Sequence, residues 1–290
     1  MHTLNFIGAG RVGQTLGHLW HQSSLFAIQD VLTHSPASAQ AACDFIGAGT
    51  PVTQLAQMRP ADVWLLGVPD AQIAVVAAAL ADPSPTPTRL AQELGVPIAF
   101  HCSGAHSSAL LAPLAARGWH IASAHCILSF ADRATAVQQF PGTACALEGD
   151  ASAICELHHA FTAIQARCFE VASQDKLLYH AAAVFATNFL PVIQSVAEDA
   201  WIAAGVPQDF LPGLRTSLLH NAVANITRLG PTGALTGPAA RGDLAAIARQ
   251  AQAVAQWDVQ AGAAYEALSA LALRLANAKT ESSAHPASNH

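Results

Sequence analysis

Gly8-Ala9-Gly10-Arg11-Val12-Gly13 sets three glycines in a G-x-G-x-x-G spacing. The run follows the apolar stretch Leu4–Ile7 and opens a helical pattern, Val12–His21, in which Val12, Leu16 and Leu19 recur on one face. In that context each glycine has a task. Gly8 permits a tight turn, Gly10 lets the backbone approach a pyrophosphate, and Gly13 lets the helix pack close to the strand. A phosphate placed there meets unpaired N–H groups and the positive end of the helix dipole. About twenty residues on, an NAD-binding fold carries Asp or Glu at the end of its second strand. Here that place reads Thr33-His34-Ser35, and Asp30 lies at the other end of the strand Asp30–Thr33. His34, Ser35 and Arg11 can meet a ribose 2′-phosphate, so NADP is favoured over NAD. Val68 and Pro69, in Gly67-Val68-Pro69-Asp70, close a further strand beside the cofactor. Asp70 reads as the N-cap of the next helix.

A second set of residues suits proton transfer and substrate binding. His101 and Ser103 follow an apolar strand, Ile98–His101, and strand ends of this kind line a ligand crevice. His125 follows the next strand, with Ser129 nearby. Lys176 and His180 stand at i and i+4, on one helix face, with Asn188 further along. Lys176 is one of only two lysines, which singles it out to polarise a substrate oxygen or nitrogen, with His180 or His125 relaying a proton. Arg241, in Thr236–Asp243, offers a fork for a substrate carboxylate or a subunit ion pair. His101, Cys102, His106, His125 and Cys126 match no zinc spacing, so no metal is expected. No G-x-S-x-G elbow of a serine hydrolase occurs.

The elements that must position these groups follow from periodicity. Strands at Leu4–Ile7, Asp30–Thr33, Val63–Gly67, Ile98–His101 and Ile121–His125 alternate with helices at Val12–His21, Pro36–Phe45, Ala71–Leu80 and Ser107–Arg117. That alternation implies a parallel sheet with right-handed crossovers. Pro83, Pro85 and Pro87 mark a surface loop, and a last strand is expected at Thr143–Leu147. Thereafter the pattern is helical: Ala151–Ala163, Ser173–Ala204 with Ser173 as its cap, Gln208–Arg228 and Asp243–Ala276 capped by Asp243. The expected organisation is an α/β Rossmann-like domain over 1–149, an all-α dimerisation and substrate domain over 150–279, and a disordered tail over 280–290.

Composition narrows the class. Of the 290 residues 52 % are hydrophobic and 11 % charged, which supplies a large core and excludes general disorder. The net charge of −6 and the lack of a basic block argue against nucleic acid. Leu177–Ala197 is uncharged except for its histidine, but His180, Asn188, Pro191 and Gln194 interrupt it, so a buried helix is expected rather than a membrane span. A strand begins by Thr3, so no secretory leader is expected. Six cysteines without a C-x-x-C pair suggest free thiols in the cytoplasm. Alanine-rich, nearly uncharged helices in the second half suggest a homodimer through them.

The segments FIGAGRVG, GVPD, FHCSGAHSSALLAPL, SAHCILSF, KLLYHAAAVFATN and TGPAARGD occur in one order. In this the chain resembles Rossmann-like proteins with a DUF2520 C-terminal domain, over about Leu4 to Ala276. It is more distantly similar to the 6-phosphogluconate dehydrogenase-like superfamily, which includes pyrroline-5-carboxylate reductase, prephenate dehydrogenase and ketopantoate reductase. The resemblance implies an NADP-binding N-terminal domain, a helical C-terminal domain and a dimer built through its helices. It names no substrate. The family has His-Pro where this chain has His125-Cys126, which is expected to alter a turn and add a thiol. The residues and the resemblance together lead to an NADP-dependent oxidoreductase acting on a small carbonyl/alcohol or imine/amine. A non-catalytic NADP(H)-binding or redox-sensing protein is the alternative.

Overall fold

The computed structural model describes residues 1–82 and 95–284, with side chains to residue 278. The expected proline loop at Pro83, Pro85 and Pro87 and the end of the expected tail, 285–290, lie outside the described residues. The chain divides into two compact units, 1–185 and 186–290, so the first unit reaches well past residue 149.

The first unit is built on an eight-stranded sheet in the order β3-β2-β1-β4-β5-β6-β7-β8. Its strands are β1 (His2–Ile7), β2 (Phe26–Leu32), β3 (Thr50–Val52), β4 (Val63–Leu66), β5 (Ile98–His101), β6 (His120–Cys126), β7 (Ala144–Gly149) and β8 (Arg167–Glu170). Every neighbouring pair is parallel except β6 with β7. The expected parallel sheet thus carries one antiparallel pair, at β7, and the almost entirely helical pattern expected after residue 151 is interrupted by β8. Central strands are apolar on both faces, as β4 shows with Val-Trp-Leu-Leu entirely buried.

Helices α1 (Arg11–Gln22), α2 (Pro36–Ile46), α3 (Asp70–Ala81), α4 (Ala112–Ala115), α5 (Arg133–Gln139) and α6 (Ala151–Ala163) connect the strands. The expected helix Ser107–Arg117 is instead a 3₁₀ turn, Ser108–Leu111, followed by the single turn α4, where Pro113 supplies no N–H. On one side of the sheet Trp20 packs edge-to-face with Phe26, Phe100 and Phe161, at centroid distances of 5.4, 6.3 and 5.3 Å. On the other, Trp64, Leu66, Ile73, Leu80, Leu111 and Leu114 form a second cluster.

After β8 a 3₁₀ turn, Ser173–Asp175, leads into α7 (Lys176–Ala183), a π turn (Val184–Asn188) and α8 (Phe189–Ala203). Ser173 does not cap this run; Ala172 holds that position. The second unit adds α9 (Leu211–Ala234), kinked at Gly230 before Pro231, then α10 (Gly237–Ala240), α11 (Leu244–Trp257) and α12 (Val259–Ala284). The expected single helix Asp243–Ala276 is broken at Asp258, and α12 carries the backbone past Thr280, where a frayed tail was expected. Asp243 caps α11 as expected, its carboxylate accepting from the Ala246 N–H.

Among the described residues one helical run, Ser173–Ala203, is long and apolar enough to cross a membrane by length and composition alone. None of its most apolar window is buried within the chain, which corrects the expectation of a buried helix. Phe185, Leu190, Val192 and Ile193 are all exposed.

Candidate active site

The glycine turn joins β1 to α1 with the backbone that its spacing demands. Gly8 lies in the left-handed region (φ +81°), and a Cβ there would meet Val68 Cγ1 at 2.7 Å and the Gly67 backbone at 2.8 Å. Its N–H donates to the Leu32 carbonyl at 2.7 Å, which ties the turn to the end of β2. Gly10 occupies the N-cap of α1, makes no side-chain cap and has no acidic residue following it in the first turn. A Cβ at Gly10 would meet nothing within 4 Å. Gly13 is packed against the Gly8 carbonyl, with its ideal Cβ 3.4 Å away. An uncapped helix N-terminus beside open space fits a pyrophosphate. Val12 is half-buried behind the turn, and Arg11 is exposed as the first residue of α1.

At the end of β2 the sequence Thr33-His34-Ser35 places no carboxylate beside this turn. Asp30, only 1 % exposed, accepts from the Arg59 N–H at 2.6 Å and pairs with its guanidinium at 2.6 Å. Ser35 is the N-cap of α2, in a reciprocal capping box with Ser38. His34 is exposed, 3.5 Å from the Ser38 hydroxyl.

Past β4, Pro69 rather than Asp70 occupies the N-cap of α3. The capping role read for Asp70 is corrected: its carboxylate accepts from the Ser103 hydroxyl at 2.8 Å. The same hydroxyl accepts from the His106 N–H, which holds the 103–106 turn after β5. His101 is fully buried, its Nε2 3.1 Å from the Ser107 carbonyl and its Nδ1 accepting from the Ser103 N–H. Burial pushes its pKa down to about 4. A ring with both nitrogens engaged by backbone orients the turn.

Lys176 is 2 % exposed. Its ammonium donates to the Ser103 carbonyl at 3.0 Å and to the Ser123 hydroxyl on β6. Ser123 in turn donates to Glu148 on β7 at 2.9 Å. Glu148 also accepts from the Ser108 N–H at 2.7 Å, the Ser108 hydroxyl at 2.8 Å and the Ser173 hydroxyl at 2.6 Å. Burial opposes ionisation of Glu148, but these hydrogen bonds outweigh it and hold the carboxyl below its ordinary range. Burial lowers the Lys176 pKa, and Glu148 partly offsets the effect. The lysine is a buried strut between strand ends, its donors directed at protein atoms.

His125 and His180 lie together, ring centroids 5.7 Å apart in a T-shaped arrangement. A Cβ on Gly104 would fall 2.4 Å from His180 Nδ1 and 2.8 Å from His125 Nε2, so the two rings close over a residue that must lack a side chain. His125 Nδ1 is 2.8 Å from the Tyr179 hydroxyl. His180 Nδ1 is buried and has no hydrogen-bond partner among the described residues. Burial, with His180 and Lys176 nearby, pushes the His125 pKa down to about 4. Cys126 continues β6 rather than turning the chain, its Sγ buried 3.6 Å from that of Cys145.

Ser129 is exposed on the segment after β6. Asn188 and Arg241 belong to the second unit, the first in the π turn accepting from the Thr187 hydroxyl, the second exposed at the end of α10. Glu148, Ser123, Ser108, Ser173, Tyr179 and Gly104 were not singled out from sequence. Two signals were present: Glu148 is the lone charge of an otherwise apolar strand, and Tyr179 is one of only two tyrosines. Among the described residues no group of three or more His, Cys, Asp or Glu could hold a metal ion.

Residues 2–126 match a Rossmann-like domain, and residues 143–272 match DUF2520, a domain of unknown function. The chain joins a Rossmann-like domain to a DUF2520 domain. No curated protein matches it. Protein TM1727 from Thermotoga maritima is similar in structure, at TM-score 0.74 and 23 % identity over 96 % of this chain and 100 % of that one. BF3122 from Bacteroides fragilis, assigned as an NADP oxidoreductase, matches at TM-score 0.67 and 20 % identity over 94 % and 98 %. Pyrroline carboxylate reductase from Plasmodium falciparum, solved with NADP bound, matches at TM-score 0.54 and 11 % identity over 95 % and 98 %. At these identities the likeness is one of fold.

Proposed function

We infer that this DUF2520 protein is an NADP(H)-dependent oxidoreductase acting on a small polar carbonyl/alcohol or imine/amine. The observation that carries the reading is the turn at Gly8–Gly13, strained at Gly8, open at Gly10 and backed by an uncapped helix. Gly8, Gly10 and Gly13 would cradle the pyrophosphate, with Val12 behind them, and Val68 and Pro69 would flank the cofactor. Arg11, His34 and Ser35 would meet a 2′-phosphate, since Asp30 is committed to Arg59. When bound, the nicotinamide supplies or takes the hydride.

In a sheet of this kind, ligands sit beyond the carboxyl ends of the strands, which here carry Ser103 after β5 and His125 on β6. His125 is neutral at physiological pH, so it meets charge developing on the substrate heteroatom as a hydrogen-bonding imidazole. Lys176, Glu148 and Ser123 act by positioning the Ser103–Gly104 turn and the start of α7. The exposed apolar residues of α8 and α9, among them Ile193, Val196, Val223 and Ile226, support a homodimer through the second unit. The free thiols support a cytoplasmic setting.

Fluorescence titration tests cofactor choice: NADPH is expected to bind more tightly than NADH, and equal affinity or NADH preference refutes the assignment. A panel of carbonyls and imines, followed by NADPH absorbance, then tests turnover. His125→Gln should retain NADPH binding and lose roughly 10²–10⁴-fold in rate on whichever substrate is found. Tight NADPH binding with no turnover of any compound would favour the sensor reading.

A further inference from the structure

Tyr179 reaches His125 from the third residue past Lys176, within the same helix α7. Its hydroxyl lies 2.8 Å from His125 Nδ1, and the two rings meet edge-on at 87° with centroids 5.5 Å apart. Phe169 on β8 also packs against the phenol ring, centroid to centroid 6.1 Å at 66°. The ring is half-buried, so it is held by packing as well as by the hydrogen bond.

We propose that Tyr179 is a positioning residue that donates its O–H to His125 Nδ1, fixing the imidazole proton on Nε2 and making the site a hydrogen-bond donor toward substrate. The polarity follows from the partners. A phenol is the better acid and a neutral imidazole the better base, so O–H···N is the favoured arrangement of this pair. Burial keeps both partners uncharged, raising the phenol and lowering the imidazolium, which leaves one proton for each to place. With Nδ1 occupied, the remaining proton sits on Nε2, the nitrogen beside Gly104. A neutral imidazole is one donor and one acceptor, and which nitrogen does which is set by the hydrogen bond at the other.

The consequence for substrate rests on the oxidoreductase reading. An Nε2–H donor suits a reacting atom that offers a lone pair, a carbonyl oxygen or an imine nitrogen. During reduction the hydride joins the carbon while the π pair moves to the heteroatom. The Nε2–H hydrogen bond meets that charge, and a solvent proton completes the alcohol or amine. An ammonium or other donor-only group at that position would face proton against proton.

The tautomer can be read without a substrate. In the full-length chain with ¹⁵N-labelled histidine, long-range ¹H–¹⁵N correlations distinguish protonated from acceptor nitrogens, and the His125 set is assigned by its loss in His125→Gln. The expected pattern has His125 Nε2 protonated and Nδ1 as acceptor, and Tyr179→Phe should move both resonances toward an exchange average. Protonation at Nδ1 in the unaltered chain overturns the proposal, as does an unchanged pattern in Tyr179→Phe. Should that variant fail to fold, 3-fluorotyrosine labelling serves, because Tyr179 and Tyr265 are the only tyrosines. One ¹⁹F signal should shift in His125→Gln, and no shift overturns the contact. Because none of these readings requires turnover, failure of the tautomer assignment is separable from failure of the oxidoreductase reading.

Discussion

Replacing Glu148 probes the buried network most directly. The carboxylate is 4 % exposed and accepts four hydrogen bonds, from the backbone of Ser108 and the hydroxyls of Ser108, Ser123 and Ser173. Glu148→Ala removes all four acceptor contacts and leaves the Lys176 ammonium buried without its counter-charge. Breaking a buried charge network by deleting one partner costs about 3–5 kcal/mol. At roughly 2–4 °C per kcal/mol for a chain of this order of size, melting should fall by roughly 10 °C. Glu148→Gln is a milder change. Its amide oxygen can face the Ser108 N–H and Ser123, while its NH₂ donates to the Ser108 and Ser173 hydroxyls, which can turn to accept. Only the charge is lost, and the expected cost is about 1–2 kcal/mol. The pH dependence adds a second reading. The carboxyl is held below its ordinary range in the folded chain, so the unfolded chain takes up the proton first on acidification. This contribution is complete above the unfolded value of about 4.3 and is lost as pH falls through the lower folded value. Urea and thermal unfolding at a series of pH values should therefore show the gap between the unaltered chain and Glu148→Gln closing below about pH 4. A loss under about 1 kcal/mol in Glu148→Ala, or a gap that stays constant into acid, refutes the reasoning.

Gly10→Ala should leave melting unchanged, since the new Cβ meets nothing, and weaken NADPH at least about tenfold by calorimetry, a loss of about 1.4 kcal/mol. Gly8→Ala should instead destabilise the fold by about 1–3 kcal/mol in urea, because φ is +81° and the Cβ would strike Val68 and Gly67. Gly104→Ala should displace His180 and His125, seen as movement of both imidazole resonance sets in a chain that still melts cooperatively. Lys176→Met keeps the stem and removes the ammonium. In the unaltered chain the lowered Lys176 pKa makes stability rise with pH between that value and the unfolded value of about 10.4, and the rise should vanish in the variant.

Much of the glycine turn and its surroundings was legible because its signals are local. The glycine spacing, the flanking strand and helix, and the lack of an acid after β2 lie within one short stretch, and the structure keeps Asp30 away from that place by pairing it with Arg59. The cluster around Lys176 and His125 was legible only in pieces. Lys176 stood out by rarity and His125 by its place at a strand end. What joins them is non-local: Lys176 reaches Ser103 across 73 residues, and Ser108 reaches Glu148 across 40. No periodicity encodes such pairings. Asp70 illustrates the same limit, since a helix start with an acidic residue reads as a cap until Pro69 is seen there and Ser103 is found at the carboxylate. β3 was missed because it has three residues, and β8 because a four-residue strand of Arg-Cys-Phe-Glu carries no clear alternation.

The lysine strut also bears on the order in which the chain assembles. Its bonds close loops of 73 and 53 residues and draw the start of α7 to β5 and β6. Bringing distant segments together costs chain entropy before any contact repays it. Until β7 has reversed against β6, Glu148 has no place beside Ser123 to balance the ammonium. The strut is thus the keystone of this unit, set after its neighbours. Substitutions there should speed unfolding while leaving the early folding rate nearly unchanged. A ribosome must release residue 176 before the strand ends that it braces become rigid, so the nascent chain completes its glycine turn well before the ends of β5 and β6 are fixed.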